Sequence, residues 1–258
     1  PALFAGHGSP MNAISNNMFT DGFRSAASEI ETPQAILCIS AHWFTQGTFV
    51  TGMQHPETIH DFGGFPPELY QVEYPSPGNR NLAETTQQLL SPNPVTVDES
   101  EWGLDHGSWS VLRHMYPEAN IPVVQLSIDY TKPATYHFEI AKQLRPLREK
   151  GVLIVGSGNI VHNLRMVDWH NVDKIDYGYE WAAEAREIVN KAIINDDYEK
   201  LTAYQKLSTS LQLAIPTPDH FLPLLYILAL KEENEQVSLF NDHLVGGSLS
   251  MTSIKIER

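Results

Sequence analysis

The sequence predicts an α/β protein in which a single-domain sheet is layered between helices. Apolar, strand-like runs alternate with helix-like segments along all 258 residues. Three of these runs, at 2–5, 35–40 and 152–156, each lead shortly to a histidine. In open α/β sheets, ligands bind at the carboxyl edge of the strands. We therefore expect these three histidines, which are far apart in sequence, to meet at that edge and form a metal site.

The strands and helices follow one another in a regular order. Short apolar runs predict the strands, at 2–5, 35–40, 47–52, 94–100, 121–128, 152–156, 236–240 and 247–256. Periodicity and flanking residues predict the helices, at 18–30, 80–90, 107–116, 133–149, 177–194, 197–206 and 219–231. Gly151 stops the amphipathic helix 133–149, and Pro216 and Pro218 introduce the last helix, because proline suits a helix's first turn.

The segment between the third strand and the second helix is long. Residues 56–79 are rich in proline, glycine and aromatic side chains. A loop of this length in a compact domain often carries function. Within it, His60 and Asp61 are candidates for substrate binding. The chain contains no low-complexity linker and no internal repeat, so we predict one domain spanning residues 1–258.

The composition excludes several classes of protein. The formal net charge of −14 disfavours nucleic acid and anionic membranes as partners, since both attract basic surfaces. No apolar stretch of about 18 residues occurs, so no membrane-spanning helix is expected. The only cysteine, Cys38, lies in an apolar run and is expected to be a buried thiol rather than part of a disulfide. Cytoplasmic localisation is the default expectation.

Common catalytic motifs are absent from the chain. There is no Gly-x-Ser-x-Gly elbow, no Walker loop and no complete dinucleotide-binding fingerprint. A single cysteine also excludes a thiolate-rich zinc or iron–sulfur site. The eleven histidines remain, and an imidazole-rich site suits Fe(II), Zn(II) or Cu(II).

Two histidines directly follow predicted strands. His7 lies between Gly6 and Gly8, where the backbone can turn sharply and approach a ligand closely. His42 follows the strand 35–40 and precedes Trp43, which can shield it from water. Either histidine could simply cap a turn, but their positions favour metal ligation for both.

Three further histidines lie at positions that suit a site. His106 precedes a predicted helix and could hydrogen-bond to bound oxygen or to a phenolate. His162 follows the last central strand and a Gly-Ser-Gly bend, where it could bind a metal or transfer protons. His220 lies near the start of the last predicted helix, where the adjacent Asp219 could equally be just a carboxylate favoured by the helix dipole.

The motifs around these histidines together resemble the class III extradiol ring-cleavage dioxygenases, the LigB-like superfamily. They are most similar to its 4,5-DOPA extradiol dioxygenase family. The resemblance spans nearly the whole chain and rests on seven motifs, each weak alone: GHGSP, SAHWF, IHDFGGFP, WGLDHGSW, PVVQLSID, GSGNIVHNL and TPDHFLPLLY.

The resemblance implies an activity and a set of roles. Both atoms of O2 would enter a catechol ring, and a DOPA-like substrate would be opened by 4,5-cleavage to a muconic semialdehyde. Fe(II) would be the working metal, with Zn(II) able to occupy the same site. His7, His42 and His220 would bind the metal. His162 would be a fourth ligand or the acid–base residue, and His106 would lie near the oxygen-binding position.

Two other functions fit a histidine-rich site. A zinc-dependent hydrolase would use several imidazoles to lower the pKa of a zinc-bound water. The absence of a His-Glu-x-x-His motif counts against it. A non-catalytic metal-binding module would need a sealed site, whereas the aromatic, glycine-rich segment 59–70 resembles a lid over a substrate.

Overall fold

Eight strands form one mixed sheet with helices on both faces, in a computed structural model that describes residues 1–172 and 174–257. The strands are β1 (Ala2–Gly6), β2 (Ala35–Thr45), β3 (Thr48–Thr51), β4 (Val95–Asp98), β5 (Val123–Asp129), β6 (Val152–Gly158), β7 (Gln236–Phe240) and β10 (Ser253–Glu257). A separate two-stranded ribbon contains β8 (Leu244–Val245) and β9 (Leu249–Ser250). The predicted α/β class is confirmed.

Ten α-helices are described. They are α1 (Met18–Ser28), α2 (Pro67–Tyr70), α3 (Arg80–Leu89), α4 (His106–Met115), α5 (Ala134–Ala141), α6 (Arg145–Glu149), α7 (Glu180–Ile194), α8 (Tyr198–Leu201), α9 (Thr209–Ala214) and α10 (Leu222–Leu228). Short 3-10 helices occur at Pro10–Ile14, Lys142–Leu144, Leu164–Met166, Trp169–Asn171 and Tyr204–Lys206. Among the described residues, no helix has the length and apolar character needed to cross a membrane.

The strand order is β4-β3-β5-β2-β6-β1-β10-β7. The four central strands, β5, β2, β6 and β1, are mutually parallel, whereas β10 and β7 add antiparallel pairs at one side. The carboxyl ends of β1, β2 and β6 therefore lie at the same edge of the sheet.

Both faces of the central strands are buried. In β2, Leu37 and Ile39 belong to the hydrophobic cluster on one face, whereas Ile36 and Cys38 belong to the cluster on the other. This alternation arises because successive side chains of a strand point to opposite faces. Helices cover both faces, so the strand reads as a continuous apolar run. Cys38 is buried and unpaired, as predicted, and burial raises the pKa of its thiol.

The prediction of two long helices, at 133–149 and 197–206, is wrong because each segment is divided into shorter helices. The segment 133–149 forms α5, a 3-10 turn and then α6. Pro146, in the first turn of α6, has no N–H to continue an α-helical hydrogen-bond ladder. The segment 197–206 forms only α8 and a 3-10 turn at Tyr204–Lys206.

Two boundaries differ from the prediction at places that shape the site. The Gly-Ser-Gly sequence is not a bend but the end of β6, which continues through Gly158. The last helix starts at Leu222, and Pro223 rather than Pro216 or Pro218 lies in its first turn. Helices α2 and α9 and strand β8 were not predicted.

Candidate metal centre

Five histidine rings lie together at the carboxyl edge of the sheet. His7 follows β1, His42 lies near the end of β2, and His162 follows β6. His106 is the first residue of α4, and His220 lies two residues before α10. The ring centroids of His7, His42 and His220 are 5.0–5.2 Å apart, and His42 lies 3.9 Å from His106. The structure therefore brings together all five histidines singled out for metal binding or catalysis.

Two different third histidines flank the pair formed by His7 and His42. The Nε2 atoms of this pair are 3.2 Å apart. One ring nitrogen of His106 completes a trio with them, whose ligand atoms all lie within 4.8 Å of one another. His220 is the third ligand that the family resemblance implies. Its ring centroid lies 5.2 Å from that of His7 and 5.0 Å from that of His42. Geometry alone thus allows two triads, which share His7 and His42.

Three of the histidines have a polar partner at Nδ1. His7 Nδ1 lies 2.9 Å from Ser157 Oγ, His42 Nδ1 lies 3.4 Å from Asp61 Oδ2, and His220 Nδ1 is hydrogen-bonded to Asp219 Oδ2. A partner at one ring nitrogen fixes the orientation of the imidazole and leaves the other nitrogen free for a metal. This arrangement is typical of histidines that bind metals.

The donor set fits a divalent cation. The Nε2 atoms of His7 and His42 are 3.2 Å apart, and a ring proton on Nδ1 of each, towards its polar partner, would leave two Nε2 lone pairs facing each other. A cation between such lone pairs removes their repulsion. Burial, and secondarily the neighbouring histidines, lowers the pKa of both rings well below the ordinary value, so both are neutral near pH 7. Neutral imidazoles are the form that binds Fe(II) or Zn(II).

Asp61 contacts two of the rings. Besides His42, its Oδ2 lies 3.0 Å from His106 Nδ1, although outside hydrogen-bonding geometry, and its Oδ1 accepts a 2.8 Å hydrogen bond from the His106 backbone N–H. His60, the neighbouring residue, has its Nε2 2.9 Å from the Val72 carbonyl oxygen. The substrate-binding role of His60 and Asp61 stays a prediction, and the contacts of Asp61 add a role in holding the histidines.

His162 and His220 are stacked. Their ring centroids are 3.5 Å apart and their planes are only 6° from parallel. An imidazole binds a metal in its own ring plane, so one ion cannot lie in both of these planes at once. Burial, together with His220, lowers the pKa of His162 to about 3. In this arrangement His162 is neutral near pH 7.

Asp219 does not stabilise the start of α10, contrary to the interpretation from sequence. The helix begins at Leu222, and the carboxylate is bonded instead to the ring of His220. Burial alone would raise the pKa of Asp219, but the hydrogen bond and charge interaction with His220 outweigh it and hold the pKa at about 2. The carboxylate is therefore ionised and orients His220.

A buried polar network fixes the start of α4. Asp105 caps the helix by accepting a 3.2 Å hydrogen bond from the Ser108 N–H. It also accepts hydrogen bonds from Ser40 Oγ on β2, at 2.6 Å, and from the Gln125 amide on β5. Burial, and then Asp61, raises the pKa of Asp105 to about 6. Gln125 was missed, although a lone amide within an apolar strand is the signal that could have found it.

Aromatic side chains of the loop and α2 form a wall beside the site. The Phe62 ring is 5.4 Å from that of His106 and 5.1 Å from that of Tyr70. The ring of Phe65 from the loop and that of Trp109 from α4 also lie close to the Phe62 ring, at 5.4 Å and 6.2 Å. The prediction that this segment lies over the site agrees with these contacts.

Substituting Gly107 by alanine is expected to lower turnover by about a hundredfold, since displacing a site group by about 1 Å can cost that much. A Cβ at Gly107 would overlap Ser40 Oγ and lie 2.8 Å from His42 Cδ2, so β2 and α4 would be pushed apart. By helix propensity alone, replacing glycine with alanine would stabilise a helix by about 1 kcal/mol. Steady-state kinetics and thermal unfolding of G107A check this. Wild-type kcat in G107A would show that His42 tolerates the shift.

Comparisons with known proteins match nearly the whole chain to aromatic ring-opening dioxygenases. A sequence model of the catalytic LigB subunit of aromatic ring-opening dioxygenase matches residues 1–251. The chain is 47% identical to 4,5-DOPA dioxygenase extradiol of Escherichia coli K12, over 99% of this chain and 94% of that protein. It is 37% identical to the protein of the same name from Beta vulgaris, over 98% and 95%.

A solved structure agrees with the sequence relatives. The crystal structure of an uncharacterised protein from Escherichia coli K12 superimposes with a TM-score of 0.84 at 42% identity, covering 98% of each chain. The fold, the histidine cluster and the sequence matches thus agree, and the chain belongs to the LigB family of aromatic ring-opening dioxygenases.

Proposed function

We propose that this protein is an extradiol dioxygenase that opens the catechol ring of a DOPA-like substrate by 4,5-cleavage. Both atoms of O2 enter the product, one ring carbon–carbon bond breaks, and a muconic semialdehyde forms. The whole chain, residues 1–258, acts as one catalytic domain. The names of its relatives support the substrate class.

The observation that carries this proposal is the buried histidine cluster with its Nδ1 partners. His7, His42 and His220 would hold the metal, because each has a polar partner beside Nδ1, which leaves Nε2 as the ligand atom. Fe(II) is the working metal, and when bound it supplies chelation of the two catechol oxygens and the redox chemistry that O2 requires. Histidine-only sites also suit Zn(II), which has no redox chemistry and would leave the same site inactive towards O2.

His162 acts as the acid–base residue. Its stacking on His220 places it beside the residues that would hold the metal, while its ring plane, nearly parallel to that of His220, keeps it from binding the same ion. It takes a proton from a catechol hydroxyl and returns one as the ring opens. The negative charge of a bound catecholate raises the basicity of a neighbouring imidazole, which suits this exchange.

The other residues of the site orient the histidines and enclose the substrate. Asp61 holds His42 and His106 in place. His106 would hydrogen-bond to oxygen bound beside His42, whose ring centroid lies 3.9 Å from its own. The wall formed by Phe62 and its aromatic neighbours keeps water from the opened ring.

The test is turnover of L-DOPA by apo-protein reloaded with Fe(II) under anaerobic conditions. On admission of oxygen, we expect an oxygen electrode to record one O2 consumed for each L-DOPA molecule converted, together with a yellow product. Zinc-loaded protein is the matched control and should consume no oxygen. A product that forms equally well without O2, or with zinc alone, would overturn the proposal in favour of a hydrolase.

A further inference from the structure

We propose that Ser157 is a positioning residue that fixes the tautomer of His7 and thereby directs its Nε2 lone pair at the metal. Ser157 is completely buried at the end of β6, one residue before Gly158. The inference rests on the proposed function only in taking His7 as a metal ligand.

The position of His7 is set by the backbone of the same strand. Ala5 of β1 lies in register with Ser157, and the His7 N–H donates a 3.1 Å hydrogen bond to the Gly158 carbonyl oxygen. The side chains of Ser157 and His7 therefore meet beneath the site, where Ser157 Oγ lies 2.9 Å from His7 Nδ1. Both residues are buried, so water does not compete for this contact.

The direction of the hydrogen bond follows from counting protons. Ser157 Oγ lies 2.5 Å from the Gly107 carbonyl oxygen, which can only accept. The single hydroxyl proton of Ser157 is therefore used on Gly107. Oγ must then accept from His7, so the proton of the neutral His7 ring is on Nδ1 and Nε2 carries the lone pair.

The orientation of this chain of bonds is fixed from α4. Gly107 lies in the first turn of α4, which Asp105 anchors to β2 and β5. Helix α4 thus fixes the Gly107 carbonyl, which accepts the hydrogen bond of the Ser157 hydroxyl. The Ser157 oxygen in turn accepts the hydrogen bond of the His7 ring. At His42 and His220 the group beside Nδ1 is a carboxylate, from Asp61 and Asp219. At His7 it is the neutral hydroxyl of Ser157.

The first test uses the unmodified, metal-free protein. Long-range proton–nitrogen NMR correlations of protein labelled with ¹⁵N-histidine distinguish the two neutral tautomers, and His7→Gln identifies the His7 signals. We expect His7 to carry its proton on Nδ1. A proton on Nε2 would overturn the proposal. No catechol, oxygen or metal is needed, so this result is separate from the success or failure of the proposed function.

The second test removes the hydroxyl. In S157A we expect a mixture of His7 tautomers and a loss of about 10- to 100-fold in affinity for Zn²⁺ alone, measured by calorimetry, as is usual when a partner of a metal-bound histidine is removed. Ser127→Ala is the matched control, because Ser127 is an equally buried strand serine whose Oγ bonds to Thr45 and to the Phe49 N–H rather than to a histidine.

Two outcomes decide between positioning and general structure. Loss of metal affinity in S157A with S127A unchanged supports the positioning role. Equal losses in both variants, or an unchanged His7 tautomer in S157A, would show that Ser157 only fills space. If wild-type protein binds Zn²⁺ as expected but opens no catechol, the proposed function fails while the role of Ser157 stands.

Discussion

Replacing His220 by alanine is expected to weaken metal binding by more than about a hundredfold and to abolish ring cleavage. Loss of a partner of a ligand already costs about 10- to 100-fold in metal affinity, and loss of the ligand itself costs more. His220 is held by an ionised Asp219 and faces both His7 and His42. Calorimetric titration of the apo-protein with Zn²⁺, followed by oxygen uptake after Fe(II) loading, measures both effects.

His106→Ala is the matched comparison, because His106 forms the competing triad with the same two histidines. We expect it to retain metal affinity within a few fold while losing turnover. Its Nδ1 faces a carboxylate that is shared with His42, and its ring meets that of Phe62 edge to face, which places it between the site and the aromatic wall. The reverse pattern, with metal lost in H106A and retained in H220A, would assign the metal to the other triad.

Replacing His162 by alanine is expected to lower kcat by about 10²- to 10⁴-fold, the usual contribution of a general acid–base residue, while metal affinity is retained. The stacked geometry is the reason: the plane of His162 is nearly parallel to that of His220, so the two rings cannot share one ion. Oxygen uptake with L-DOPA and calorimetry with Zn²⁺ separate the two quantities.

His55→Ala provides the control for His162→Ala, since His55 is an exposed histidine outside the cluster. It should leave both kcat and metal affinity unchanged. A large loss of metal affinity in H162A would make His162 a fourth ligand, the other role that the family resemblance implies.

The sheet and the position of the site could be predicted from the sequence because both depend on local pattern. Apolar runs mark buried strands, and a histidine at the end of each run marks the edge where the strands finish. His7 and His42 were found this way. The exact partners were not predictable, because Asp61 and Asp219 contact ring nitrogens only through loop conformations that no periodicity encodes.

Glycine caused the error at β6. Next to a strand, a Gly-Ser-Gly sequence predicts a bend, since glycine is a turn residue. Here the glycines serve close packing: a Cβ at Gly156 would lie 2.7 Å from the Pro223 carbonyl oxygen, and one at Gly158 would overlap that of His220. Such tertiary contacts involve residues more than 60 positions away and are invisible in sequence. Reading the segment as a bend also hid Ser157.

The place of β1 in the sheet has a consequence for how the protein is made. This strand precedes the other described strands in the chain and pairs with β6 on one side and with β10 on the other. Its neighbours are therefore synthesised much later, and contacts between such distant segments form slowly because long loops must close first. A nascent chain holds His7 and His42 without the neighbours that orient them. The histidine cluster can thus assemble only after β6 and the segment that carries His220 have been synthesised, well after His7 and His42.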